Sequence, residues 1–153
     1  MPKRNQTKVQ IHQHLIEVLN SKLTELKLSI KDLSDSIQGE TKSSAGDKFE
    51  TARETMQAEL RNKQFILNET LKFKANLQQI DPTQKKTRVE FGSLVETNMG
   101  IYFISLALGK VTINQKDYYA LSLASPIGQQ LIDKETGDNC SFQNKTIEIR
   151  SII

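Results

Sequence analysis

The stretch Val9–Ile37, VQIHQHLIEVLNSKLTELKLSIKDLSDSI, places Val9, His12, Ile16, Leu19, Leu23, Leu26, Ile30, Leu33 and Ile37 at alternating steps of three and four. That spacing is the heptad signature of a coiled-coil seam, because every third or fourth side chain returns to one face of a helix. No Pro or Gly interrupts it, and Glu17, Lys22, Glu25, Lys27, Lys31 and Asp32 fall off the seam. At about 1.5 Å per residue such a helix runs roughly 45 Å. His12, the one seam member that is not aliphatic, reads as a polar layer near the helix start rather than a metal ligand. Gly39 is the expected stop, and residues 39–46 have the small, polar composition of a connection.

A second helical pattern occupies Asp47 to Ile80. Phe49, Ala52, Met56, Leu60, Leu67 and Leu71 recur at near-helical spacing, Ile66, Phe73, Leu77 and Ile80 widen the stripe, and Lys63 and Gln64 interrupt it. Asp81-Pro82 ends it, since proline disfavours helical geometry in the residue before it and has no N–H to donate. Two long helices with a short connection predict an antiparallel hairpin over residues 1–80. The turn Ala45-Gly46-Asp47-Lys48-Phe49-Glu50 would then sit at its far end, with an acidic tip at 46–50.

After a linker at 81–88 the period becomes strand-like. Strands are expected at Phe91–Glu96, Ile101–Leu108, Val111–Ile113, Tyr118–Leu123, Cys140–Gln143 and Thr146–Ile152. Ser125 as N-cap and Pro126 at the first helical position open a short helix through Ile132. Residues 89–153 are thus expected to form an α+β domain, an antiparallel sheet with one helix across a face.

Composition bounds the function. No apolar run approaches the roughly 20 residues of a membrane span, and the N-terminus lacks the apolar core of a signal peptide, so a cytoplasmic protein is expected. Of the 21 Lys and Arg, Lys3, Arg4 and Lys8 precede the expected helix, and the other 18 match the 18 Asp and Glu. The body carries no basic stripe for nucleic acid beyond Lys85-Lys86-Thr87-Arg88, which reads as a solvated linker. Cys140 is the single cysteine, and with only His12 and His14 beside it no Cys/His zinc set exists. The C-terminal domain has no His, glycine-rich phosphate loop or metal-ligand spacing, so the chain is not expected to be an enzyme by itself.

The segments Gly92-Ser93-Leu94-Val95, Ser122 to Lys134, Gly137-Asp138 and Ile147 to Ile152 resemble the C-terminal domain of the bacterial Gre transcript-cleavage elongation factors. The serine-proline helix followed by glycine-aspartate is the most specific element, and the order of parts matches over nearly the whole chain. The resemblance implies an FKBP-like C-terminal domain that docks on RNA polymerase, Ser125 and Pro126 falling at the partner-binding surface. It also implies a monomer whose hairpin enters the polymerase secondary channel and approaches the nascent RNA 3′ end. Gly46-Asp47-x-x-Glu50 falls on the family's tip motif, so Asp47 and Glu50 would help hold a magnesium ion shared with polymerase and assist cleavage of backtracked RNA.

Taken without the resemblance, Asp followed three residues later by Glu is equally a capping-box-like helix start. Carboxylates at i and i+3 share a helical face and suit a hard cation that takes its other ligands elsewhere. Lys48 and Phe49 depart from the family's Leu-Ser at the tip, and Ala124 replaces a residue commonly polar there. A non-cleaving regulator of the same channel is therefore an alternative, and an FKBP-like isomerase or chaperone with a coiled-coil arm is a third.

Overall fold

The computed structural model describes residues 2–42 and 47–153, with side chains described from Gln6 to Gly39 and from Glu50 onward. The architecture is α+β: helices α1 (Pro2–Lys42) and α2 (Asp47–Gln78) pair and are followed by strands and one short helix. The strands are β1 (Leu94–Thr97), β2 (Ile101–Ile104), β3 (Gly109–Ile113), β4 (Lys116–Leu121), β5 (Asn139–Phe142) and β6 (Lys145–Ile152), with α3 (Pro126–Leu131) between β4 and β5. Among the described residues no helix is long and apolar enough to cross a membrane. The chain divides into two compact units, Met1–Glu17 with Asn76–Ile153, and Val18–Ala75.

The helices differ from the heptad reading in three respects. α1 begins at Pro2 and runs past Gly39 to Lys42. A glycine inside a helix costs only about 1 kcal/mol relative to alanine, too little to stop one by itself. The buried stripe near the start of α1 is also wider than the seam: Ile11 and Leu15, which the three-four spacing skips, are 0% and 2% exposed, while Val9 and Ile16 are half-buried. Finally, the inward line of α2 runs Ala52, Met56, Leu60, Lys63, Leu67, Thr70, Lys74 and Leu77, all buried or half-buried, whereas Leu71 and Phe73 are exposed. The periodicity, not the apolar character, decides the face: Lys63 and Lys74 keep their stems on it, as long cationic side chains can. Thr70 stays satisfied by donating from Oγ1 to the Ile66 carbonyl at 2.7 Å.

In the Val18–Ala75 unit, the α1 seam is buried at Leu19 and Leu23 and only half-buried at Leu26, Ile30, Leu33 and Ile37. Two helices offer each other one face apiece, so burial there stays partial.

The sheet order is β3-β4-β2-β1-β6-β5. It is mixed rather than wholly antiparallel, because β2 and β4 run parallel, with Tyr102 opposite Tyr119 and Ile104 opposite Leu121. β3 lies outside β4 and returns through Asn114-Gln115, so β4 enters the sheet in the direction of β2. Asn114 and Gln115, like Gln143 and Asn144 between β5 and β6, have positive φ at both turn positions. That is the handedness of the two-residue hairpin turn that matches strand twist. β2 stops at Ile104, short of the expected Leu108, and Ser105 makes the last link to the neighbouring strand through its N–H and the Leu121 carbonyl at 2.8 Å.

One sheet face carries the main core, Val95, Tyr102, Ile104, Ile147 and Ile149 packed with Val89 and with Leu131 of α3. The other face buries Leu94, Phe103, Val111, Tyr118 and Ala120. Within the same unit the first turns of α1 and the residues after α2 cover part of it: Thr7 lines a cavity with Leu94 and Ile153, and Ile80 lies against the backbone of Gly92.

Candidate functional site

Asp47 is the first residue of α2 and Glu50 the fourth, so a helical backbone brings the two positions to one face. Glu50 is exposed. Residues 43–46, with Gly46 of the expected tip motif, lie outside the described residues, as do the side chains of Asp47, Lys48 and Phe49. Among the described residues no group of three or more His, Cys, Asp and Glu could hold a metal ion.

Ser125 and Pro126 occupy the start of α3, and the geometry gives the serine an internal task. Its Oγ donates to the Ser122 carbonyl at 2.7 Å and accepts from the Gly128 N–H at 3.0 Å, the bond expected of an N-cap. Pro126 is exposed beside exposed Ala124. Gly128 is buried, and a Cβ there would sit 2.2 Å from the Ser122 carbonyl, so no side chain fits. The Gly137-Asp138 pair also works inside the fold: Gly137 has φ +93°, and the Asp138 carboxylate accepts from the Glu135 N–H at 2.8 Å. The Ser-Pro and Gly-Asp elements are thus each accounted for by a turn or a cap.

The root of the hairpin holds charge that the sequence reading placed elsewhere. Lys8, counted there among loose positives ahead of the helix, lies within α1 and is fully buried. Its Nζ donates to the Gln84 carbonyl at 2.8 Å. One turn on, His12 is buried and donates from Nε2 to the Leu77 carbonyl at 2.6 Å, as a satisfied polar layer should. The last turn of α2 has no basic residue of its own; His12 adds a donor to its Leu77 carbonyl, which also accepts from the Ile80 N–H at 3.2 Å, and Lys8 donates to Gln84 beyond the helix end. Loss of water around Lys8 lowers its pKa to about 8, the nearby Lys86 cation adds to the effect, and Asp81 and Glu90 oppose it. Asp81 itself is held below the usual carboxylate range by hydrogen bonds from Thr83. The signal for Lys8 was present in the sequence, because it stands four residues before His12 on the same helical face.

Cys140 is half-buried in β5, and burial pushes its thiol up, away from the reactive thiolate. No protein-family model matches this sequence, and no curated protein matches it.

Proposed function

We propose that the protein is a Gre-like transcription elongation factor, acting in the cytoplasm as a monomer. It binds RNA polymerase at the secondary channel and stimulates cleavage of backtracked RNA near the nascent 3′ end. The observation that carries this reading is the placement of Asp47 and Glu50 in the first turn of α2, one helix of a long pair, with Glu50 exposed. The order of parts supports it too, a helical pair followed by a small α+β domain for which the resemblance implies an FKBP-like fold and docking near Ser125 and Pro126.

The donor set fits a shared magnesium ion. Mg²⁺ takes carboxylate oxygens and keeps several waters, so two protein carboxylates suffice where a partner and a phosphate supply the rest. When bound there, such an ion stabilises the attacking oxygen of an in-line displacement. Asp47 and Glu50 would hold it, and the long helices would position them, so the chain contributes ligands to another enzyme's site.

The test is a purified, backtracked elongation complex incubated with the protein and magnesium, with short 3′ RNA fragments as the readout. Stimulated cleavage is expected, and Asp47→Ala with Glu50→Ala should abolish it while polymerase retention in a pull-down persists. Retention without any cleavage by the wild-type chain would favour the non-cleaving regulator, for which Lys48 and Phe49 at the tip would be the reason. Failure to bind polymerase would sink both and leave the isomerase or chaperone reading.

A further inference from the structure

The first two turns of α1 are built against their own electrostatics. α1 begins at Pro2, and its first turn carries Lys3 and Arg4 and no acidic residue. The unpaired amides at a helix N-terminus form its positive pole, so cations placed there oppose the helix. Lys8 adds a third positive charge in the turn that follows.

Lys8 is 0% exposed, and its ammonium carries three donors. Among the described residues the Gln84 carbonyl is its one hydrogen-bond partner, and no carboxylate forms an ion pair with it. The charged groups that face it are Lys86, Asp81 and Glu90, and Glu90 is already paired with Lys86 at 3.0 Å. A buried cation short of acceptors is costly to hold. The turns that follow are held differently: Ile11 and Leu15 are buried apolar side chains, and His12 bonds the Leu77 carbonyl at 2.6 Å. A boundary between a weakly and a firmly held stretch of α1 therefore falls between Lys8 and Ile11.

We propose that the first two turns of α1 form a strap that opens locally, peeling from Gln84 while α1 from Ile11 onward stays in place, and that the charge on Lys8 sets how often it opens. Opening returns the ammonium to water and uncovers the cavity that Thr7 lines with Leu94, Ile101 and Ile153, so the strap gates an apolar part of the sheet. All of these residues lie in one compact unit. In the closed strap, loss of water around Lys8, aided by the Lys86 cation, lowers its pKa from 10.5 to about 8. Between those values the closed state has released a proton that the open state keeps, so closure is favoured as pH rises through the window and is flat below it. With the ordinary value restored on opening, the strap should open about tenfold less often at pH 9 than at pH 7. This inference does not depend on the polymerase reading, which rests on different residues.

The test is hydrogen–deuterium exchange of the full chain at pH 7 and pH 9, read residue by residue by NMR and expressed as protection relative to the unstructured rate. At pH 7 the amides of residues 8–12 should be less protected, by on the order of tenfold or more, than the amide of Ile104, which bonds the Ser93 carbonyl at 2.8 Å inside the sheet. Their protection should rise about tenfold from pH 7 to pH 9. Lys8→Met should raise their protection at pH 7 and flatten the pH dependence, since an apolar side chain suits the same enclosure. Lys86→Gln, which removes the facing cation and leaves α1 unaltered, should shrink the rise. Amides 8–12 as protected as Ile104, protection that does not change between the two pH values, or an unaltered rise in both variants overturns the proposal.

Discussion

Along α1, residues of the same kind are buried to different depths. Ile11 and Leu15, in the unit that contains the sheet, are almost wholly removed from water, whereas Ile30, Leu33 and Ile37, in the other unit, are half-buried. The helix type is the same throughout, so the difference comes from the number of neighbouring surfaces. Ile11 and Leu15 belong to the larger unit, which also holds the sheet and the end of α2, whereas within the helical unit a side chain meets one partner face. Charge follows the same division: Lys8 is enclosed and pinned to a carbonyl, and Glu50 is open to water.

The largest effect that tests this contrast is a pair of truncations. Leu15→Ala should cost about 3 kcal/mol, the loss expected when a fully buried leucine leaves a cavity, and Leu33→Ala about 1 kcal/mol. Urea unfolding followed by circular dichroism measures both. Equal losses would show that the two stretches of α1 are buried alike and end the comparison.

A smaller effect is expected inside the sheet unit at Ser125. Ser125→Ala removes the cap on Gly128 and should destabilise by about 1 kcal/mol in the same assay. A loss of polymerase binding with no change in stability would instead assign the hydroxyl to the partner surface.

A third test is a pH slope at Lys8. Its pKa falls from the usual 10.5 to about 8 in the folded chain, so between those values the unfolded chain holds a proton that the folded chain has released. Stability from this group therefore rises with pH across that window and is flat below it. Compared with Lys8→Met, the wild-type chain should gain stability between pH 8 and pH 10. Parallel pH profiles for the two would mean that Lys8 is not desolvated. At neutral pH the methionine variant should be close to neutral or stabilising, since a buried ion is often replaced at little cost by an apolar group of similar shape.

Much of the fold was legible in the sequence. The heptad spacing marked the first helix and a near-helical repeat the second, and the change to a period of two located six strands to within a few residues. Ser125-Pro126 gave the start of α3 through simple cap chemistry, and the structure has that bond. What escaped was non-local. A three-four spacing identifies one face of a helix, but it does not say that the buried face near the start of α1 widens to take in Ile11, Leu15 and Lys8. Leu71 and Phe73 fall in the expected stripe because they are apolar, yet the helix leaves both exposed and turns Thr70 and Lys74 inward instead. The parallel β2–β4 pair was equally hidden, because strand patterns carry no sign of direction. Asp47 and Glu50 were singled out by the resemblance, their spacing alone reading equally as a cap, and their positions in the first turn of α2 agree with both a cap and a ligand pair.

The bonds at the hairpin root link residues far apart in sequence, His12 to Leu77 and Lys8 to Gln84. A ribosome releases the chain from its N-terminus, so the first turns of α1 emerge long before anything that can cover them. Lys8 keeps its water and Ile11 stays exposed through the synthesis of both helices, and the sheet unit closes only when its last strands have been made. The order of synthesis and the order of burial are therefore opposed at this end of the molecule, and a nascent chain halted inside α2 would present a long helix whose finally most buried turns are still uncovered.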